Sequence, residues 1–531
     1  MSSAHKTFSA PPATPISDIS ATLTRLRTTF QSHKTRSVEW RKQQLRKLWW
    51  GLHDNESDIA ASLWQDLRKS EHEALQSDGI WLKNAIIDAL GDIDTWVKEV
   101  PVSADLLSKA GSPTIRKEPL GVVLIIGAYN YPFQLTIGPL LGAIAAGNCV
   151  IIKPSEISQA SCAVLTKIIT DYLDPDAFAV VNGAIPETTE LLEQKFDKIC
   201  YTGNGVVGRI VATAAAKHLT PTILELGGLN PVIVTKNADI KTAARRICWG
   251  KALNAGQVCL SPDYFIVPSS KEAELVSLLA SSWRKFYPNG LKASPDYPRI
   301  VNDRHFQRIK KLIESTSGEI KIGGQTDESE KFIDLTVVKV KDENDPLMKE
   351  EIFGPVLPYI VIDDLDDAIA FVNRVSDTPL ALYTFTTDKK EADYILGRTR
   401  SGGATVNDTI WHGASHKLAF GGVGESGMGN YRDKFGFDAF SHHRTTVRQA
   451  GGWFEAVLDA RYPPYLPSKL SQYRMLLEKK PSFSRDGKAR VSWFGWLLSL
   501  GGGDKKTVVV KYVATILGLV YLKNQIDARR R

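Results

Sequence analysis

From Asp18 to about Val100 the apolar positions recur at helical intervals. Trp40, Leu45, Leu48 and Trp49 fall on one side, among Arg41, Lys42, Arg46 and Lys47. The spacing predicts helices that pack on a sheet or a partner subunit. The texture changes at Pro119, where Gly121 and the β-branched run behind it carry the mark of a strand buried on both faces. Strand and helix then alternate: helix over 137–146, strand over 149–152, helix over 157–172, strand over 178–181, helix over 188–194 and strand over 198–202. That order predicts an open, largely parallel sheet covered by helices, a doubly wound α/β domain.

A second α/β block begins near Leu226. It predicts helix over 240–253, strand over 264–267, helices near 271–286 and 304–314, strand around 335–340, helix over 365–375 and strand over 380–385. Glycine-rich turns follow at Gly402-Gly403, at 420–424 and at 427–429, and they read either as loop punctuation or as backbone lining a pocket. Internal repeats are not evident.

Composition changes the picture little. A chain of 531 residues, 43% hydrophobic and 24% charged, has material for more than one core. The net charge of +7 is modest and its basic residues are interspersed with acidic ones, which argues against nucleic-acid binding. The five cysteines, Cys149, Cys162, Cys200, Cys248 and Cys259, have no CxxC spacing. This speaks against a disulfide framework or a zinc site, and neither HExxH nor clustered His and Cys ligands occur, so no metal is expected. Four of the cysteines sit in apolar or helical surroundings and are assigned to the core, and His442-His443 to a surface strand.

Candidate chemistry lies in two places. The predicted strand ending at Thr202 runs into Gly203-Asn204-Gly205-Val206-Val207-Gly208 and a helix from Arg209 to His218, which matches G-x-G-x-x-G in its strand-turn-helix context. A dinucleotide pyrophosphate at the helix N-terminus is the implied ligand. The second place is Leu224-Glu225-Leu226-Gly227-Gly228 with Gly256-Gln257-Val258-Cys259. A cysteine thiolate can attack a carbonyl, and a carboxylate can deprotonate the water that opens the resulting thioester. On spacing alone Glu225 has two competing roles, since an acid about 20 residues beyond the fingerprint also suits a ribose.

With these motifs in order, the chain resembles the aldehyde dehydrogenase superfamily, and within it the class 3 branch that includes the fatty aldehyde dehydrogenases. The resemblance runs from roughly Asp18 to Arg444. It rests on Tyr129-Asn130-Tyr131-Pro132-Phe133, Ala145-Ala146-Gly147-Asn148, Lys153-Pro154-Ser155-Glu156, the run from Thr202 to Gly208, Leu224 to Gly228, Gly256 to Cys259, Glu350 to Val356, and Phe420 to Gly424. It implies a Rossmann-type cofactor domain and an α/β catalytic domain, with NAD, or NADP, as hydride acceptor. Cys259 would be the nucleophile, the Asn130 amide and the Cys259 backbone N–H would hold the oxyanion, and Glu225 would be the general base. Lys153 and Glu156 would recognise ribose, Glu351 and Phe353 the nicotinamide ribose and ring, and Gly203, Asn204, Gly208, Leu226 and Gly227 would complete the cofactor site. Three positions depart from the usual pattern: Tyr129 where an indole precedes the Asn, Leu229 where Lys follows the glycines, and Gly205 where Thr is common. None removes a group the chemistry needs, but the first bears on the aldehyde tunnel and the third on the phosphate seat.

The domain plan that follows is a disordered leader over 1–17, helices and cofactor domain over 18–225, and catalytic domain over 226–431. A small dimerisation strand element follows over 432–447, then a polar connection over 448–490 and a membrane-associated tail over 491–531. Within the tail, Thr507 to Leu522 is interrupted by Lys511 and falls short of the roughly 20 apolar residues that span a bilayer. A core helix or dimer contact is therefore an alternative. Trp493, Phe494, Trp496 and Tyr512 suit an interface, and Arg529-Arg530-Arg531 suits anionic lipid. The expected enzyme is a homodimer that oxidises medium- to long-chain aliphatic aldehydes to acids. It would be membrane-associated, at the endoplasmic reticulum, mitochondrial outer membrane or peroxisome, with its catalytic domain in the cytosol. A CoA-acylating relative and an inactive membrane-tethered scaffold are the alternatives.

Overall fold

A computed structural model describes residues 6–103, 111–449, 451–452, 455, 459–489, 511 and 514. The chain divides into two units, 1–100 with 115–445, and 101–114 with 446–531.

The first unit is built on two sheets. One has six strands in the order Gly427–Met428, Thr222–Glu225, Lys198–Thr202, Val122–Ile126, Cys149–Lys153 and Phe178–Val180. All its pairings are parallel except that of Gly427–Met428, which runs antiparallel to Thr222–Glu225. Val122–Ile126 and Cys149–Lys153 are buried at every position, as a parallel strand covered on both faces must be. The other sheet has seven strands in the order Glu319–Ile322, Thr336–Lys339, Val356–Val361, Tyr264–Val267, Pro231–Val234, Ala381–Phe385 and Gly403–Val406. Only the edge strand Glu319–Ile322 is antiparallel to its neighbour. The doubly wound α/β reading therefore holds for the first sheet. Because Gly427–Met428 returns to that sheet, the expected catalytic segment 226–431 also contributes to the cofactor-type domain.

Helices Val38–Asp54, Trp81–Trp96, Gln134–Ala146 and Gln159–Tyr172 contribute to the core. Of the four apolar residues read from spacing, Leu45 and Leu48 are buried and Trp40 and Trp49 half-buried, and Leu52 is buried with them. Arg41, grouped by sequence among exposed basic residues, is instead buried. Its guanidinium donates to Thr35 O, Ala145 O and Arg36 O at 2.9, 3.0 and 3.0 Å, which satisfies it without an acid. Helix Asp433–Ala439 lies against Gln134–Ala146 so closely that a Cβ on Gly142 would meet the Gly436 carbonyl carbon at 2.8 Å. Strand Ser441–Thr446 carries His442 and His443 exposed, as expected.

Residues 6–17, expected within a disordered leader, are fixed. Phe8 exchanges two hydrogen bonds with the Gln65 side chain at 2.9 and 2.8 Å, Thr14 N donates to Asn182 O at 2.9 Å, and a helix already begins at Ile16. In the second unit, helix Pro467–Leu477 stands where an extended connection was expected. Pro467 occupies the first helical turn, where its missing N–H costs nothing. Among the described residues no helix is long and apolar enough to cross a membrane. The predicted tail over 491–531 lies outside the described residues apart from 511 and 514.

Candidate active site

The first sheet offers its carboxyl edge. Lys153 and Glu225 are the last residues of their strands, Gly203 follows Lys198–Thr202, and Asn130 lies just beyond Val122–Ile126. Val122–Ile126 has Cys149–Lys153 on one side and Lys198–Thr202 on the other, so this edge is the switch point where α/β sheets bind ligands. Buried Lys153 directs Nζ to Pro154 O at 3.0 Å and to Glu156 Oε2 at 2.7 Å. Gly203 N donates to Glu225 O at 3.0 Å. The glycine turn is shorter than the sequence predicts, since the helix begins at Gly205 and not at Arg209. Asn204 caps it by accepting from Val207 N at 3.0 Å. Gly208 is therefore helical, and a Cβ there would stand 2.7 Å from Leu226 Cδ2. Leu226 and Gly208 thus share one wall.

The second sheet offers its amino edge. From Glu225 the chain reaches Pro231–Val234 through Leu226 to Asn230, while Cys259 precedes Tyr264–Val267 and Glu351 and Phe353 precede Val356–Val361. The approach to Cys259 is strained: Asn254, Ala255 and Gly256 have φ of 50°, 51° and 72°. Left-handed backbone at a non-glycine costs about 1–3 kcal/mol and persists only where its surroundings hold it. Here Asn254 N donates to Glu73 Oε1 at 2.8 Å, Gln257 Nε2 to Arg299 O at 2.9 Å, and Val301 N to Gln257 Oε1 at 3.0 Å. Asn230 Nδ2 holds the Cys259 carbonyl at 2.7 Å. Asn130 joins the two edges, its Nδ2 donating to Gln257 O at 3.0 Å.

Electrostatics bring together the remaining groups. Cys259 is partly exposed, whereas the other four cysteines are buried. Burial, then the Glu351 and Glu225 carboxylates, push the Cys259 thiol up to about 12, while Arg432 pulls it back. Glu225 is 2% exposed, and neither of its oxygens has a hydrogen-bond partner among the described residues. Burial holds its carboxyl well above the usual range against the pull of Arg432. Arg432 donates to Gly413 O at 2.6 Å and Ser415 O at 3.1 Å and lies over the Trp81 and Phe420 rings at 4.9 and 4.1 Å. Glu351 is likewise raised, by burial and then Asp263, and its Oε1 has no hydrogen-bond partner among the described residues. A Cβ on Gly227 would collide with the Glu351 carboxylate, so Gly227 and Glu351 share a narrow space. Phe353, at φ 49°, meets the Tyr129 ring edge-on at 5.9 Å, and Tyr129 also contacts His305 at 5.5 Å.

Every residue predicted from sequence thus lies along these two edges. Asn230, Asn254, Gln257 and Arg432 were not anticipated. Each is a polar residue whose partner is a distant carbonyl or carboxylate, and only the Asn-Pro step at 230–231 gave a local hint. Among the described residues no group of three His, Cys, Asp or Glu is placed to hold a metal ion. A dinucleotide fits the frame on three counts. A capped helix N-terminus leads from the sheet edge, Gly208 and Gly227 each stand where a side chain would collide, and Glu351 keeps a buried acceptor unused.

A family model described as the aldehyde dehydrogenase family matches residues 3–446. The chain is 45% identical over 526 residues to a beta-apo-4'-carotenal oxygenase of Neurospora crassa, covering 97% of each protein. It is 45% identical over 456 residues to aldehyde dehydrogenase family 3 member A2 of Rattus norvegicus, covering 86% of this chain and 93% of that one. The structure resembles the substrate-bound state of Staphylococcus aureus AldH with a TM-score of 0.82 at 39% identity, over 87% of this chain and 99% of that one. A glyceraldehyde-3-phosphate dehydrogenase from Methanocaldococcus jannaschii complexed with NADP, 23% identical, shares the fold with a TM-score of 0.72 over 83% of this chain and 96% of that one. The chain belongs to the aldehyde dehydrogenase family, enzymes that oxidise aldehydes with a nicotinamide cofactor.

Proposed function

We propose that this enzyme oxidises medium- to long-chain apolar aldehydes to carboxylic acids through a thioester on Cys259. The observation that carries the reading is the pairing of a partly exposed thiol with a buried carboxylate, Glu225, that has no hydrogen-bond partner among the described residues and is close enough to shift that thiol. Cys259, which is partly exposed, gives its proton to solvent water, and the thiolate attacks the carbonyl carbon as the C=O π bond opens onto oxygen. The oxyanion that forms is held by the second N–H of Asn130 Nδ2, whose first stays on Gln257 O, and by the Cys259 backbone N–H. Two fixed donors aimed at developing charge are worth about 3 kcal/mol each. Bound nicotinamide supplies the hydride acceptor. Glu225 then takes a proton from the water that opens the thioester, a task suited to an acid whose burial raises its proton affinity.

Lys153 and Glu156 hold the adenosine ribose, and Glu351 and Phe353 the nicotinamide ribose and ring. Gly203, Asn204, Gly208, Leu226 and Gly227 form the rest of the seat. A carboxylate at Glu156 repels a ribose phosphate, so NAD is preferred over NADP.

Chain length follows from the relatives and from the tail. The match to the carotenal oxygenase extends over 526 residues and that to the family 3 member A2 over 456, which favours a second, polyene class of long aldehyde beside the saturated one. The basic, aromatic-flanked tail over 491–531 supports attachment to an intracellular membrane, where such substrates partition, with the catalytic unit in the cytosol and paired as a homodimer. Steady-state rates with hexanal, hexadecanal and an apocarotenal, each with NAD and NADP, test the reading. The expected result is a kcat/KM that rises with hydrocarbon length and falls with NADP. A preference for hexanal would reject the long-chain assignment, and full-length protein that stays in the supernatant with liposomes just as it does without them would reject the membrane attachment.

A further inference from the structure

Beneath Asn130 lies a buried polar cluster for which the chemistry above has no use. Lys69, wholly buried just after helix Glu56–Leu67, directs Nζ to the Asn130 carbonyl at 3.2 Å. The same nitrogen lies 3.7 Å from Asp78 Oδ2 and 3.9 Å from the centre of the Tyr131 ring. Asp78 stands in a π-helical turn, Leu75–Ile80, and its Oδ1 accepts from Gln134 N at 2.9 Å, the first residue of helix Gln134–Ala146. Asn254 Nδ2 shares the Asn130 carbonyl at 3.0 Å and also reaches Gln257 O at 3.1 Å. Glu73 Oε1, from the same short run of chain as Lys69 and Asp78, accepts from Asn254 N at 2.8 Å.

A buried lysine and aspartate contribute little net stability, because removing both charges from water costs about as much as their attraction returns. Their placement is more informative. The run 69–78 grips the peptide that carries Asn130 on one side and the left-handed turn before Cys259 on the other. π-Helical turns also collect at functional sites. The Asn130 carbonyl takes both of these bonds, from Lys69 Nζ and from Asn254 Nδ2, so the peptide that carries the amide is held from two sides.

We propose that Lys69 is a positioning residue for the reaction: by pinning the Asn130 carbonyl it aims the Asn130 side-chain amide at the site where the substrate oxygen takes up charge. The proposal rests on the reading of Asn130 as an oxyanion donor, given above. Lys69 touches neither substrate nor cofactor, and its whole effect passes through Asn130.

A double-mutant cycle tests this. Lys69→Met alone strands the Asp78 carboxylate in the core and can fail to fold, so the working variant is Lys69→Met with Asp78→Asn, which keeps the Oδ1 acceptor for Gln134 and removes the charge beside the lost ammonium. Glu73, also drawn down by Lys69, then holds its proton more tightly, and Glu73→Gln is added in both backgrounds as a control. The rate of the first turnover's hydride formation is measured with and without Asn130→Ala, on full-length protein. The expected loss is about 30-fold in the Asn130 background and under about twofold in the Asn130→Ala background, since an amide that is absent cannot be misaimed. Iodoacetamide alkylation of Cys259 and NAD affinity stay within about twofold, because neither needs the oxyanion donor. Equal losses in both backgrounds, or a parallel fall in alkylation, would overturn the positioning role and leave only a structural one. If Asn130→Ala itself costs nothing, the oxyanion reading falls and takes this inference with it, an outcome distinct from equal losses.

Discussion

The two edges that meet at the site are built on opposite principles. At the carboxyl edge of the six-stranded sheet, Lys153, Gly203 and Asn204 follow regular strands directly, and the helix behind them is capped within its first turn. At the amino edge of the seven-stranded sheet, Cys259 and Phe353 come from loops in which Asn254, Ala255 and Phe353 hold φ near 50° against long-range hydrogen bonds. The relaxed edge suits a ligand that must enter and leave at every turnover. The strained edge suits a nucleophile that must sit in one place before the substrate arrives. Lys153 on the relaxed edge and Cys259 on the strained one should therefore separate binding from chemistry under mutation, with Asn130, which bridges from the first edge to Gln257 of the second, going with Cys259.

The largest separation is expected for Cys259→Ala, which should lose about 10⁴-fold or more in kcat while NAD titration by fluorescence stays within about threefold. Asn130→Ala should lower kcat about 100- to 1000-fold with cofactor affinity again preserved. At Lys153, which shares the carboxyl edge with Asn130 but makes no bond to the strained loop, the pattern should invert: Lys153→Met should raise the KM for NAD about tenfold and change kcat by less than about threefold. A Lys153 variant that lost kcat and kept its cofactor KM would dissolve the division.

A smaller effect sharpens the strained side. With its thiol pushed up to about 12, Cys259 is protonated at neutral pH in the free enzyme, and the thiolate fraction grows tenfold per pH unit. Iodoacetamide alkylation of the cofactor-free enzyme should therefore rise about tenfold per unit between pH 7 and 10, without a plateau. Glu351→Gln should raise the rate at each pH by removing the larger of the two carboxylate effects that hold the thiol up.

The smallest effect concerns stability. Burial raises the Glu73 carboxyl from 4.5 to about 7, against the pull of Lys69. The folded state then keeps a proton that the unfolded chain has lost, so this contribution is complete below pH 4.5 and disappears as pH rises through 7. Glu73→Gln should raise the melting temperature by about 1–3 °C at pH 8 and leave it nearly unchanged at pH 4.5.

The same contrast explains what the sequence discloses. The six-stranded sheet was legible because β-branched runs and turn glycines are local signals, and the strands 122–126 and 198–202 fall where they predict. Lys153, Glu156, Glu351 and Phe353 drew their roles only from the family resemblance, since a lysine at a strand end or an aromatic in a loop has no signature of its own. Arg41 and Lys69 were illegible for a further reason: a buried cation satisfied by carbonyl oxygens leaves no charge pattern to detect. Residues 6–17 looked disordered because Ser, Ala and Pro lack an apolar run, yet one glutamine side chain, Gln65, grips both backbone groups of Phe8. Helix Pro467–Leu477 was hidden by the prolines before it, which mark an extended stretch and also begin a helix.

The central claim is that Cys259 carries the acyl group between hydride departure and hydrolysis, with Glu225 responsible for the second step alone. The most direct test mixes Glu225→Gln enzyme with NAD and excess hexadecanal in a stopped-flow instrument, then quenches and maps the protein by mass spectrometry. The account predicts a burst of about one equivalent of reduced cofactor per active site, followed by near-arrest, with an acyl mass on the Cys259 peptide. A slow linear trace with no burst and an unmodified Cys259 peptide would contradict it.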